Sequence, residues 1–410
     1  MPSSPDGLGD DRGVLGAYRP LFQSSEARRL VAASLTGRLP IALFDLPLIL
    51  LAQQVSGSFA VAGIAVGVHA GAIAISAPFR GRLVDRRGAR TALPPLVVAN
   101  ALAIGALPLA AGLDAAWLIV VVAGIEGVTA PPIVASMRLE WQRLLGREDE
   151  RLAQAYAFES VAQVSLFVVG SLLAAAAIAL VGASAALAVT AAIALVGGLA
   201  FALLARTGAQ PPVESRSRLG PVRIRGVRTL AIATALADVG LGTVDVAVVA
   251  FAQQRGESAA AGVLLAIFAA SSLIAGALYG ARRWRSPPER RVAILLGLTG
   301  ATLILLAAAD SLLVLGLLLI VAGIPSTAQW ATMSLALDRV APPDSGAEAY
   351  NWLSSANAAG VALGGVIAGV AIEVSGTTAA FLAGAGVVLV AAVFTIARRR
   401  DFSRGELTAG

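Results

Sequence analysis

Four ionisable residues stand inside apolar runs at a matched spacing. Arg38 and Asp45 lie seven residues apart, and Asp238 and Asp245 repeat that interval in the second half of the chain. Seven residues are two turns of an α-helix, so each pair shares one face. A charge within a bilayer costs at least about 2.5 kcal/mol, so such groups face a cavity, find a partner or carry function. Arg38 is suited to pairing with Asp238 or to holding an anionic substrate group. Asp45 and Asp245, brought close, would repel when both are ionised, so that one of them could carry a proton. The plain alternative is a set of salt bridges between helices, or snorkelling toward an interface.

Other polar groups stand in apolar surroundings. Glu126, near the centre of its run, is a candidate for a cavity or for a hydrogen bond to a neighbouring helix. Glu159 lies closer to a run's end, where a gate or structural role is expected. His69 reads as a packing histidine that is able to titrate. Gln163 and Asn357 suit a pocket lining or a helix-to-helix hydrogen bond equally. Gln329 and Trp330 are weaker candidates for the same cavity.

Between two apolar runs lies a dense polar knot, Gly81-Arg-Leu-Val-Asp85-Arg86-Arg-Gly88-Ala-Arg90. Its glycines permit a tight turn and close approach to a neighbour. Asp85 is suited to the positive end of a helix. The alternative is an arginine cluster that only sets orientation.

Some chemistry is excluded. Cysteine is absent and His69 is the one histidine, so no disulfide, thiolate site or histidine-based metal site is expected. No phosphate-binding Gly-x-x-x-x-Gly-Lys-Ser/Thr loop occurs. No nucleophile, base and orienting group converge, so no catalytic residue, cofactor or enzyme activity is assigned.

The elements that position these groups follow from composition. Of 410 residues 57% are hydrophobic and 14% charged, with a mean hydropathy of +0.81. No water-soluble domain of this size hides so much apolar surface. A bilayer needs about 20 apolar residues per helix. Twelve such stretches are expected, near 30–54, 58–78, 92–113, 115–137, 153–181, 184–205, 228–253, 258–280, 291–309, 311–336, 347–372 and 376–397. Unbroken Ala, Val, Leu and Gly runs argue against a barrel, whose strands would alternate.

Every basic residue is an arginine. Placing the N-terminus in the cytoplasm gathers the loop arginines on that side, with Arg255 alone opposite, as positive-inside orientation requires. A pI near 10.7 then has a topological cause, and no nucleic acid is expected. The first 29 residues are polar, so no cleaved leader is expected. Trp117, Trp141, Trp284 and Trp352 are expected at the interfaces.

The halves repeat. Ala153-Gln-Ala-Tyr156-Ala-Phe158-Glu-Ser160-Val-Ala162-Gln163 matches Ala347-Glu-Ala-Tyr350-Asn-Trp352-Leu-Ser354-Ser-Ala356-Asn357, and Gln53-Gln54 matches Gln253-Gln254 at nearly the same offset. Aligning Gln53 with Gln253 sets Asp45 level with Asp245 and Arg38 level with Asp238, about 22 and 12 Å from the cytoplasmic surface at 1.5 Å per residue. Six helices per half preserve orientation, a parallel repeat. The expected divisions are a tail at 1–29, bundles at 30–205 and 228–398, a linker at 206–227 and a tail at 399–410.

On the loop motif Gly81, Asp85, Arg86, Gly88 and Arg90, with its position after the second helix, the chain resembles the major facilitator superfamily from about residue 30 to 398. The resemblance implies an all-α membrane protein of two pseudo-symmetric six-helix bundles that rock about a central cavity. It also implies that the second and eleventh helices face each other, with Gly63, Gly67 and Gly71 opposite Gly360, Gly364, Gly365 and Gly369, and that Asp85 faces the start of the eleventh helix near Ala347. The second-half counterpart beginning at Gly280 lacks the aspartate. The Gly-Pro pair and fourth-helix arginine of drug–proton antiporters are missing, with Ser171 after Gly170 and Ala123 in the arginine's place.

The expectation is a monomeric secondary transporter of a bacterial inner membrane, with both termini cytoplasmic. It would move a small molecule by alternating access, with protons as the drive and export of a hydrophobic or amphipathic compound as the direction. Metabolite uptake is the alternative within that class, and a sensor or scaffold without net transport is the alternative outside it.

Overall fold

The computed structural model describes residues 19–146, 150–209, 223–282, 284, 286–341 and 346–402. These residues are almost wholly helical, and no strand occurs among them. In chain order the helices are α1 (Ser25–Leu43), α2 (Asp45–Ser56), α3 (Phe59–Arg87), α4 (Ala89–Gly112), α5 (Ala116–Thr129) and α6 (Ile133–Leu145). There follow α7 (Glu150–Leu204), α8 (Arg225–Gln253), α9 (Ala260–Ala281), α10 (Pro288–Leu306), α11 (Leu312–Val340) and α12 (Gly346–Ala397).

These helices do not map one to one onto the expected spans, for local reasons. The first run is broken at Phe44, where Pro47 cannot donate to the carbonyl of Leu43. The fourth is broken at 130–132, where Pro131 and Pro132 supply no N–H. Conversely, α7 and α12 each join two expected spans through a single glycine with positive φ, Gly182 at +80° and Gly376 at +83°. That conformation costs other residues strain.

Both long helices fold back at those glycines. Gly170 abuts Ala42 while Gly197 abuts Thr36 and Gly37. Ala42 and Gly37 are little more than one turn apart, whereas a straight helix would separate residues 170 and 197 by about 40 Å. Likewise Gly364 and Gly384 both meet Thr243, from opposite arms of α12.

Among the described residues, nine stretches are long and apolar enough to cross a bilayer, the longest being Gln154–Leu204 and Ala349–Ala397 at 51 and 49 residues. Large apolar side chains point outward, among them Leu109, Leu180 and Leu313 at 72, 83 and 74% exposure. That is the surface of a protein solvated by lipid.

Glycine contacts organise the packing. In the first half α1 lies on the second arm of α7 through Gly37 and Gly197. In the second half α8 lies on α12 through Gly360, Gly364 and Gly384. The chain leaves α7 under the hold of buried Glu140, which accepts from the backbone N–H of Arg206 and Thr207 at 2.7 and 2.6 Å and from the Thr207 hydroxyl at 2.6 Å. Most of the expected linker, residues 210–222, lies outside the described residues.

Two seams join the halves, and α3 against α12 is the more telling. Gly63 packs on Gly365 and Gly369, and Gly67 on Ala362 and Val366, yet a side chain at Gly71 or Gly81 would meet open space. At the second seam Gly262 packs on Ser171 and Ala175, while Gly280 faces open space. Both seams therefore close at the arginine-poor end and part toward the arginine-rich end. The hydrogen bonds linking the halves among the described residues also sit at the arginine-poor end: Gln253 to Gln53, and Ser58 and Ala60 to Glu373.

One expectation needs correction here. Gly360 and Gly364 belong to no seam, because they pack on Ala235, Asp238, Val239 and Thr243 of α8 within their own half. The seam is formed by Gly365 and Gly369, rotated about 140° around the same helix.

Candidate functional site

Three titratable side chains from three helices of the first half meet within the apolar spans. His69 of α3 lies with Nδ1 2.5 Å from Glu126 Oε2 of α5, and with Nε2 3.7 Å from Asp45 Oδ1 of α2. Asn100 of α4 donates through Nδ2 to Glu126 Oε1 at 2.9 Å and to the Glu126 carbonyl at 3.2 Å. Phe44 covers the imidazole, its ring centroid 4.7 Å away.

Burial is graded along this chain of groups. Glu126 and His69 are buried, whereas the Asp45 side chain is 45% exposed. An imidazole presents two nitrogens and so can face two carboxylates at once. His69 thus contacts the enclosed Glu126 and stands 3.7 Å from the partly exposed Asp45.

Local breaks in the helices place these groups. Asp45 is the first residue of α2, after the interruption at Phe44, where the helix dipole favours a carboxylate. Glu126 lies one turn before the break at 130–132. Carbonyls freed there accept from neighbours: Ser76 Oγ donates to Gly127 O at 3.3 Å, and Arg80 donates to Ala130 O, while also reaching back along its own helix to Ile73 O at 3.0 Å.

The second half supplies Asp238 and Asp245 from α8. Asp238 is buried and accepts from Asn357 Nδ2 of α12 at 2.9 Å. Asp245 is half-buried and has no hydrogen-bond partner among the described residues. The contact between Gln53 and Gln253 ties α2 to α8 in the register read from the repeat. Asp45 and Asp245 each precede their glutamine by eight residues, so they lie level.

Arg38 stands apart from that space. It is 1% exposed, and its Nη1 lies 2.6 Å from Glu159 Oε2. Glu159 also accepts from Trp141 Nε1 at 3.0 Å. Arg38 thus pairs with Glu159 of α7, not with Asp238. Trp141 is wholly buried beside it, so this tryptophan is no interfacial anchor. Trp117 at 68% and Trp284 at 40% exposure do lie at the surface.

Gln163 is half-buried with Oε1 unbonded, and Gln329 is buried, accepting from Thr299 at 2.8 Å. The expected loop is largely helical: Gly81, Asp85 and Arg86 lie in the last turns of α3 and Arg90 in the first turn of α4, and only Gly88 leaves the helix, with φ +77° against Thr207 and Gly208. Asp85, Arg86 and Arg90 are exposed. Asp85, expected beside the helix start near Ala347, makes no hydrogen bond or ion pair among the described residues. No cluster of metal-ligating residues occurs among them either.

Sequence reasoning missed Asn100, the bridging role of His69, and Glu373. Each is a lone polar residue in or beside an apolar helix, which is the available signal. Which helix it meets depends on packing.

Comparison with known proteins places this geometry. A model described as "Major Facilitator Superfamily" matches residues 31–230 and 230–409. No curated protein matches the chain by sequence. Among solved structures, the human organic anion transporter MFSD10 (TETRAN) is similar with a TM-score of 0.61 at 18% identity, over 91% of this chain and 100% of that one. A mutant of the nucleoside transporter NupG gives 0.72 at 16% identity, over 90% and 99%. A POT family transporter in complex with 5-aminolevulinic acid gives 0.70 at 14% identity, over 96% and 98%.

Proposed function

This chain belongs to the Major Facilitator Superfamily, and from that premise we propose that it is a proton-coupled secondary transporter exporting a hydrophobic or amphipathic compound by alternating access. It is a multi-pass membrane transporter. The proposal adds the coupling ion, the direction and the kind of cargo. In this reading the bundles at 30–205 and 228–398 rock about a chamber bordered by Asp45, Asp245, Gln163 and Asn357, in a monomer of the bacterial inner membrane. The arginine-rich end and both termini face the cytoplasm, and the structure corresponds to the inward-open state.

One observation carries the reading: accessible Asp45 is linked through His69 to buried Glu126, beside a seam sealed at one end. A proton arriving at Asp45 can pass inward and discharge the enclosed carboxylate, changing what the bundle interior holds apart or together. Each charge crossing the membrane supplies about 2.3 kcal/mol per 100 mV. Sequestration of Arg38 by Glu159 favours a cargo other than a simple anion. The largely apolar helices around the chamber favour an amphipathic one.

Reconstitution in liposomes with an internal pH dye tests this reading. Addition of a panel of amphipathic solutes is expected to drive proton flux that is lost in Asp45→Asn and Asp245→Asn. Solute movement without proton flux would remove the coupling. Accumulation of a metabolite down the same proton gradient would reverse the direction to uptake, and a lack of any solute movement would favour a sensor or scaffold.

A further inference from the structure

The two helices of the first seam run antiparallel, α3 from Phe59 to Arg87 and the first arm of α12 from Gly346 toward Gly376. Each carries a carboxylate near the end of its course: Asp85 on α3 and Glu373 on α12. At the arginine-poor end Glu373 Oε1 accepts from the Ser58 hydroxyl and, at 3.2 Å, from the backbone N–H of Ala60. Ser58 is the N-cap of α3, and its oxygen accepts from Val61 N–H at 3.2 Å. The start of α3 is therefore capped jointly by its own serine and by an acid from the opposite half. The free N–H groups of a helix start and its dipole both favour that negative charge.

At the arginine-rich end the relation is mirrored but unmade. Asp85 is exposed and without a partner among the described residues, near the end of α3 that the resemblance sets beside the start of α12. The family resemblance already sets Asp85 against the start of α12; we propose that Glu373 is its counterpart, a latch from the opposite half that caps the start of α3. Glu373 holds the arginine-poor end shut in the present state, and Asp85 takes over when that end opens.

The two latches exclude each other for a geometric reason. Close contact along Gly63 and Gly67 ends before Gly71, so the helices diverge from a fulcrum near their middle. Rocking that brings Asp85 to the start of α12 must draw Glu373 from Ser58. The assignment of Glu373 is independent of the cargo and of the proton pathway, and rests only on the alternating-access part of the reading above.

Cysteine is absent, so spin labels can be placed at will. Labels at Asp114→Cys and Asp310→Cys report the arginine-poor end, and labels at Gln23→Cys and Asp338→Cys the arginine-rich end, by pulsed electron resonance in nanodiscs. Glu373→Gln is expected to favour the longer distance at the first pair and the shorter at the second, shifting the conformer ratio about tenfold, the lower end for a charged hydrogen bond. Ser58→Ala should shift it the same way and Asp85→Asn the opposite way. Shifts with Asp85→Asn and none with Glu373→Gln or Ser58→Ala would overturn the latch while leaving alternating access standing. One invariant distance at each end in every variant would overturn both.

Discussion

Arg38 and Glu159 form an ion pair of 2.6 Å with their side chains 0 and 3% exposed. The pair joins α1 to α7 inside the first half, so it fixes two helices that move together. Removing one partner from such a pair costs about 3–5 kcal/mol, because the other charge is left buried without compensation. Glu159→Ala is therefore expected to lower the melting temperature in detergent sharply, and the double variant Arg38→Met with Glu159→Met to recover most of the loss. A well-folded double variant devoid of transport would instead assign the pair to the transport cycle.

The Asp45, His69 and Glu126 array leads to a different pattern. His69→Ala interrupts the connection without emptying either carboxylate site, so folding should survive while proton movement uncouples from solute movement. A coupling free energy of about 1–3 kcal/mol corresponds to roughly 5- to 150-fold in the coupled rate. Asn100→Ala should give a smaller loss, because Glu126 keeps its approach to His69. Measurement of dye-reported proton flux against solute flux separates the two quantities. Preserved coupling in His69→Ala would assign the histidine to packing alone.

Glycines at the seam and glycines inside the second half have separable effects. A methyl group at Gly63 would run into the Gly365 backbone across the seam, whereas one at Gly71 would meet open space. Overpacking costs about 1–3 kcal/mol, and at Gly63 that cost falls on the closed state of the arginine-poor end. Gly63→Ala should therefore raise alkylation of a cysteine introduced at Gln53 from that side, and Gly71→Ala should leave it unchanged in this state. Gly364→Ala, which strikes α8 within one half, should lower thermal stability without changing that alkylation.

Much of the architecture was legible because its determinants are local. A helix in lipid satisfies its backbone internally, so run length and hydropathy reveal the elements without knowledge of their neighbours. The repeat was legible too, and the Gln53 and Gln253 contact sits where the alignment placed it. Charge pairing was less legible. Arg38 meets Glu159 and not Asp238, because the choice depends on which face of α7 turns toward α1. Trp141 and the two glycine faces of α12 were misplaced for the same reason: a rotation of about 100° per residue separates a seam from an interior contact.

The sequence by itself determined a helical membrane protein built by duplication, with ionisable groups held level in both halves and a charged segment, Gly81 to Arg90, following the second apolar run. Only the tertiary structure decided which of those groups touch, that His69 bridges two acids, and which end of the seam is shut. The physical reason is the range of the interactions: hydrophobic matching to the bilayer acts along one helix at a time. Hydrogen bonds and ion pairs act over a few ångströms between helices, and their partners exist only once the bundles have packed.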